Sequence, residues 1–278
     1  MRTWLITGCS TGIGRAIAGH VLAIGEQAVV TARRAEDIAD IVATAPDRAI
    51  AAPLDVARPD QVRAAVQAAV DRFGAIDVLV NNAGYGYVAA IEEGDDAAVR
   101  AMFDVNFFGA LDMIRAVLPG MRARGGGLIL NISSLAGRVA NPATGFYSAS
   151  KHALEGLSGA LAREVAPLGI RVCSIAPGMF RTDFSGRSLR SGDRGVTDYG
   201  HVHDRMGLVA SADGRQQGDP LKLAAAVVAV ADMAEPPVQL LLGGDAYRAV
   251  AARMEETRAE MEACRDLSCG TDFDATES

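Results

Sequence analysis

Cysteine and histidine are scarce in this chain, with four of each in 278 residues. Cys9, Cys173, Cys264 and Cys269 form no C-x-x-C. The step from Cys264 to Cys269 suits neither a zinc knuckle nor a redox pair, so reduced thiols are expected. His201-Val-His203 lies among Gly, Asp, Ser and Arg, a loop-like setting where no metal is expected. Long apolar runs are missing: Leu223–Ala231 and Val238–Leu242 fall far short of the ~20 residues of a membrane span. Met1-Arg2 leads straight into Thr3-Trp4-Leu5-Ile6-Thr7, without the longer apolar stretch and small-residue cleavage site of a leader. A cytoplasmic protein with no membrane attachment is therefore expected. Basic charge is not in excess either. Against 27 Lys and Arg stand 34 Asp and Glu, a net charge of −7, which argues against nucleic acid as the main partner.

What is present is an ordinary globular composition, 50% hydrophobic and 22% charged, long enough to bury a sizeable core. Short aliphatic and β-branched runs recur at Thr3–Thr7, Ala28–Ala32, Ala49–Leu54, Ile76–Asn81, Gly127–Ser133 and Ile170–Ala176. The first five are each followed by a stretch of helical period, and Leu154, Leu157, Leu161 and Val165 form one buried stripe. This alternation predicts an α/β domain: a doubly wound parallel sheet with right-handed crossovers and helices on both faces. Leu128-Ile129-Leu130-Asn131-Ile132 alternates little, as expected of a strand covered on both sides. No composition break divides the chain. A single catalytic domain is expected over 1–245, with an irregular insertion at about 179–218, then a helix and polar tail over 246–278.

Thr7-Gly8-Cys9-Ser10-Thr11-Gly12-Ile13-Gly14 follows the first strand and opens the first helix. Glycines at this junction let the backbone turn tightly against a pyrophosphate, and the helix offers the anion its free N–H groups. No Lys-Ser/Thr pair follows, which excludes a triphosphate loop. At the end of the second strand, where an acid would hold the ribose hydroxyls of NAD, stands Thr31-Ala32-Arg33-Arg34. Arginine forks hold a 2′-phosphate, so NADP(H) is preferred. Glu36 and Asp37 keep NAD(H) possible, although they read as first-turn residues of the next helix.

Tyr147-Ser148-Ala149-Ser150-Lys151 places Tyr147 and Lys151 one helical turn apart on one face. A neighbouring ammonium favours the phenolate, and such a pair suits reversible proton transfer to a carbonyl oxygen. Ser134 lies at the end of the fifth strand and Asn106 stands 28 residues earlier. Strand ends of an open α/β sheet are where ligands bind, so these groups can meet the glycine turn. Of the adjacent serines, Ser134 is favoured over Ser133 by its spacing to Tyr147, since strand neighbours face opposite sides.

Thr7–Gly14, Asn81-Asn82-Ala83-Gly84, Asn106, Ser134, Tyr147-x-x-x-Lys151 and Pro177-Gly178 together resemble the ordered motif set of the short-chain dehydrogenase/reductase family. The resemblance runs from Thr3 to about Asp183. It implies a Rossmann-type sheet of about seven parallel strands and a catalytic tetrad of Asn106, Ser134, Tyr147 and Lys151. Tyr147 would exchange a proton with the substrate oxygen, and Ser134 would orient the carbonyl. Lys151 would lower the tyrosine pKa and bond the nicotinamide ribose, and Asn106 would hold a relay water. Other positions carry over as cofactor contacts. Asp55, with Val56 beside it, would touch the adenine, unless it caps the helix entered through Pro59. Asn82, Ala83 and Gly84 would line the adenosine side, with Ile13 beneath the cofactor. Pro177-Gly178 would close over the nicotinamide, and Thr182 would meet its carboxamide. The three-residue gap between Tyr147 and Lys151 favours carbonyl/alcohol chemistry over reduction of a C=C bond.

The Met179–Gly218 stretch holds Phe180, Phe184, Tyr199, His201, His203 and Met206 among seven glycines, and reads as a substrate lid. Tyr85, Tyr87, Leu135, Val139 and Phe146 would add apolar wall for a small-molecule carbonyl or alcohol. Leu240-Leu241-Leu242-Gly243-Gly244-Asp245 and the helix after it resemble the branch with hydroxysteroid-type oxidoreductases. A homodimer through about 97–122 and 147–166 is expected first, with a homotetramer as the alternative. The competing functions are an NAD-dependent alcohol dehydrogenase, a regulator that binds NADP(H) without turnover, and a sugar-nucleotide epimerase. The regulator is disfavoured by the intact tetrad, and the epimerase by the glycine spacing.

Overall fold

In the computed structural model of the chain, residues 1–211 and 214–273 are described. Positions 212–213 of the expected lid and the last five residues of the expected tail lie outside them. The chain opens with β1 (Thr3–Ile6), α1 (Gly12–Ala23), β2 (Gln27–Ala32), α2 (Ala39–Ala43) and β3 (Ala49–Pro53). It continues through α3 (Pro59–Phe73), β4 (Val78–Asn81), β5 (Gly86–Val88), α4 (Asp96–Phe103) and α5 (Ala110–Arg124). Then come β6 (Gly127–Ile132), α6 (Gly145–Val165), β7 (Ile170–Pro177), β8 (Leu189–Ser191) and α7 (Gly200–Ser211). The last elements are α8 (Pro220–Asp232), β9 (Gln239–Leu242), α9 (Gly244–Ala263) and α10 (Arg265–Cys269).

Seven strands form one sheet in the order β3-β2-β1-β4-β6-β7-β9, and every pairing in it is parallel. Alternate residues of each strand feed two separate cores. Trp4, Ile6, Val30, Val80, Leu128, Leu130 and Ile175 pack under α1 and α8 with Ile17, Val21, Leu223 and Val227. Leu5, Val29, Leu79, Ile129 and Val172 pack on the other face under α3, α5 and α6 with Val62, Met113, Val117 and Leu161. Both faces are covered, which is why the strands read as unbroken apolar runs. The strand order reverses between β1 and β4, so the cleft opens at their carboxyl ends. Asn81 bridges β4 to β6 through Asn131 (2.9 Å), which donates on to Ser158 of α6 (2.8 Å). This buried amide chain ties the sheet to the helix that carries Tyr147.

One stretch differs from expectation. The insertion at about 179–218 is not irregular throughout: β8 pairs in parallel with β5, and α7 follows. Each of these strands is three residues long and exists through the other, so neither has a period of its own. His201 and His203 lie on α7, where His203 Nε2 meets Glu93 Oε2 at 2.7 Å. Among the described residues no group of three metal-ligating side chains occurs, and no helix is long and apolar enough to cross a membrane.

Candidate active site

The glycine turn is built for contact with bare backbone. At Gly8 (φ +73°) a Cβ would come within 2.9 Å of Ala83 Cα. At Gly14 it would lie 2.4 Å from Asn82 Nδ2 and 2.5 Å from the Gly8 carbonyl oxygen. Thr7 Oγ1 accepts from the N–H groups of Asn82 and Ala83, both at 2.9 Å. The Asn82 amide donates back to the carbonyls of Thr7 (2.9 Å) and Gly8 (3.1 Å). The β4 loop thus clamps the turn. Helix α1 starts beyond it with no side-chain cap and no acid in its first turn, which leaves its N–H groups and positive end for an anion.

The adjacent arginines part company. Arg33 borders the cleft, whereas the Arg34 side chain is 73% exposed, ion-paired with Asp37, and absent from the cleft wall. That pairing holds the Asp37 carboxyl below its usual range, and in this arrangement Arg34 does not border the cleft. Asp55 borders the cleft and caps no helix: its Oδ1 accepts from Ala57 N–H (3.1 Å), and α3 begins after Arg58.

Tyr147 and Lys151 lie on the first turns of α6, both buried. Lys151 Nζ donates to the Ile132 carbonyl (2.9 Å) and stands 6.0 Å from the Tyr147 ring centre. Burial pushes the Tyr147 hydroxyl up to about 12, with a hydrogen bond from Ser134 pulling the other way. Burial pulls Lys151 down to about 8, opposed by the Glu155 carboxylate one turn on. Desolvation of the phenolate sets the direction of the shift in the cofactor-free site, and Lys151 is not among the groups that move it. Ser134 Oγ also accepts from Ala136 N–H (3.1 Å) at the head of a short turn.

Asn106 sits behind the wall. One looser turn, Asp104–Gly109, interrupts the run from α4 to α5 and carries Asn106 toward Tyr85. Its amide donates to the Tyr85 carbonyl (2.9 Å) and its Oδ1 accepts from Tyr85 N–H (3.0 Å). A Cβ on Gly84 would come 3.0 Å from Asn106 Oδ1 and 3.6 Å from Lys151 Nζ. Asn106 therefore braces the loop that lies against the lysine.

A single cavity of about 730 Å³ joins the glycine turn to Ser134, Tyr147 and Lys151. All the expected cofactor contacts border it except Arg34 and Gly14; Gly14 is spent inside the turn. Tyr85, Tyr87, Leu135, Phe180 and Phe184 line it, and the Phe184 ring lies 5.7 Å from that of Tyr147. Phe146 and Val139 do not line it. Phe146 stacks behind Tyr87 at 6.0 Å. Tyr199, His201, His203 and Met206 also stay outside the wall. Sequence reasoning missed Asp245, whose Oδ2 accepts from Met179 N–H (2.7 Å) and so pins the turn after Pro177-Gly178. The glycines on either side of it in space were the available signal, since a Cβ on Gly178 or Gly243 would strike its carboxylate. Cys9 is buried with its thiol pushed up to about 12, an inert core residue.

A doubly wound sheet with a glycine turn at its first βα junction and Ser, Tyr and Lys at the same strand ends defines a nicotinamide-dependent oxidoreductase. Residues 2–191 match the family model for short chain dehydrogenases, and the chain belongs to the short-chain dehydrogenase/reductase family. It is 35% identical over 268 residues to oxidoreductase BOA17 of Botryotinia fuckeliana, covering 96% of this chain and 98% of that one. A short-chain dehydrogenase from Streptomyces avermitilis superposes with a TM-score of 0.92 at 40% identity, over 98% of this chain and all of that one. The alcohol dehydrogenase of the archaeon Thermococcus sibiricus, complexed with 5-hydroxy-NADP, gives 0.71 at 27% identity, over 87% of this chain and 96% of that one. The chain is thus an NAD(P)-dependent oxidoreductase that acts on small molecules.

Proposed function

We propose that the enzyme interconverts a carbonyl compound and its alcohol with NADP(H), with Tyr147 as general acid and base. The observation that carries this reading is the convergence of Ser134, Tyr147 and Lys151 in the cavity that also contains the glycine turn. The bare backbone at Gly8 and Gly12, the free N–H groups of α1 and the guanidinium of Arg33 fit a dinucleotide with a 2′-phosphate. When bound, the nicotinamide supplies the hydride.

The protein's own residues do the rest. Ser134 donates a hydrogen bond to the substrate oxygen and orients it. Tyr147, protonated through the neutral range, gives its proton to that oxygen as charge develops there. Lys151, charged below about 8, stabilises the phenolate left behind. In the reverse direction Tyr147 takes the proton back. The 179–218 segment acts as the lid: Thr182 lies 3.6 Å from where a Gly12 Cβ would stand, and Phe184 packs toward Tyr147. Closure there excludes water from the reacting carbon. Cytoplasmic location and a homodimer through 97–122 and 147–166 remain parts of the same reading.

The test is NADPH oxidation by purified protein across a panel of ketones and aldehydes, repeated with Tyr147→Phe. Turnover is expected to fall by about 10²–10⁴ or more with cofactor binding kept. A variant that reduces the best substrate at the wild-type rate overturns the mechanism.

A further inference from the structure

The lid side of the cavity holds polar groups that neither the proton transfer nor the cofactor uses. Gln216 is only 5% exposed, yet its Oε1 has no hydrogen-bond partner among the described residues. Its backbone is fixed, since the Gln216 carbonyl accepts from Arg181 Nε at 3.2 Å. Arg205, on α7, has its Nε sealed from solvent and also without a partner among them. None of the ion pairs found among the described residues involves Arg205. Both residues border the cavity. Helix α7 is held by Val202 and Met206, buried against Val88, Ala90 and Ala143, so Arg205 projects from an anchored element.

The other arginines of the lid wall are accounted for. Arg190 stacks over the Tyr85 ring at 4.5 Å, and Arg187 is exposed within the field of Asp37. Arg205 alone among the arginines on the wall is half-buried. Among the described residues the cavity's carboxylates are Asp55 and Asp104, which belong to other elements: Asp55 accepts from Ala57 N–H, and Asp104 faces the Tyr85 and Arg190 pair. A guanidinium with a desolvated, unpaired N–H is costly, and a carboxylate is the group whose geometry repays it through two parallel charge-assisted bonds. Gln216 is the other orphaned polar side chain of this wall, and rotation of its amide would turn an N–H into the cavity.

We propose that Arg205 and Gln216 form a subsite for a carboxylate, so that the substrates are carbonyl compounds with an acid group on the lid side of an apolar body. The proposal rests on the carbonyl-reductase reading above. Phe184, Leu189 and Tyr87, which line the same cavity, would contact the apolar body between the reacting carbonyl and the acid.

The test compares 4-oxo-4-phenylbutanoate with its methyl ester in NADPH-dependent reduction by the wild type and Arg205→Met. The wild type is expected to favour the acid by about 10- to 100-fold in kcat/KM, and the variant to bring that ratio close to one. An unchanged ratio in the variant, or no preference in the wild type, overturns the subsite. Gln216→Leu, expected to lower the same ratio, serves if Arg205→Met does not fold. A binding arm separates the two readings: thermal stabilisation of the NADPH complex by 4-phenylbutanoate, which has no ketone. Stabilisation of the wild type but not of Arg205→Met supports the subsite even if neither ketone turns over, an outcome that counts against the reductase reading alone. Equal stabilisation of both proteins, or none of either, overturns the subsite.

Discussion

Replacing Lys151 by methionine should abolish turnover and yet strengthen the cofactor-free fold below about pH 8. The ammonium is 4% exposed, has one hydrogen bond, to the Ile132 carbonyl, and is pulled from 10.5 down to about 8 by burial. Below about pH 8 both the folded and unfolded chains carry the proton, and the folded protein bears the whole cost of a buried charge. A depression of this size corresponds to about 3 kcal/mol. Between about 8 and 10.5 the unfolded chain holds a proton that the folded one has lost, so wild-type stability gains that amount as pH rises. Methionine has similar length and no charge, so it avoids the penalty at every pH. It leaves the Ile132 carbonyl without its donor, a loss of about 1–2 kcal/mol. Glu155 keeps its ion pair with Arg138 at 2.9 Å, which limits the cost of losing the Lys151 charge beside it.

The variant should therefore be more stable than wild type by about 1–2 kcal/mol at pH 7. By pH 10.5 the order should have reversed, the gap having moved by about 3 kcal/mol. Tyr147 titrates above most of this range and is common to both proteins, so its ionisation largely cancels in the difference. Urea unfolding of both proteins by circular dichroism at four or five values from pH 7 to 10.5 gives the measurement. A stability difference that stays constant across that range would refute the claim that Lys151 is a strained buried ammonium, whatever its value at pH 7.

Other substitutions separate the roles of neighbouring residues. Arg33→Ala should weaken NADPH binding by about 1.5–3 kcal/mol and hardly affect NADH, while Arg34→Ala, which removes the Asp37 partner, should leave both nearly unchanged; fluorescence titration with the two cofactors decides. Gly14→Ala forces a methyl against Asn82 Nδ2 and the Gly8 carbonyl, and should cost about 1–3 kcal/mol of stability by thermal denaturation together with cofactor affinity. Asp245→Ala frees Met179 N–H and the turn after Pro177-Gly178. It should raise the KM for cofactor several-fold at a stability loss of about 1 kcal/mol, measured by steady-state kinetics and urea unfolding.

Six strands of the large sheet were legible as aliphatic runs between helical stretches, whereas the seventh, β9, is four residues long and only partly buried, and was expected only from the family resemblance. The pair of β5 and β8 was not, since Gly86-Tyr87-Val88 and Leu189-Arg190-Ser191 meet across about a hundred residues and have no local pattern. The candidate site was legible where function needs a particular residue type at a particular spacing, as at Gly8, Gly12, Tyr147 and Lys151. One further sign lay in plain view: the chain has only two lysines, Lys151 and Lys222, and uses arginine for its other cations. Roles decided by a neighbour were hidden. Nothing in Arg33-Arg34 tells which guanidinium an acid three residues on will capture, and nothing around Asp245 tells that it reaches back to Met179.

Electrostatics depends on burial as well as on spacing. Placing an ammonium one turn from a phenol argues for a tyrosine drawn toward neutrality. That holds only while the phenolate stays solvated, and here the same apolar packing that orders Tyr147 also strips its water. The hydroxyl rises to about 12 while the ammonium falls to about 8, so burial favours the neutral form of each. The cleft is thus costly for charge before anything binds. In the proposed reduction this is useful, because the proton remains on Tyr147 until a carbonyl oxygen gains negative charge beside it. The phenolate that then forms is the anion Lys151 is placed to stabilise, so the ammonium acts more strongly on the reaction than on the resting enzyme.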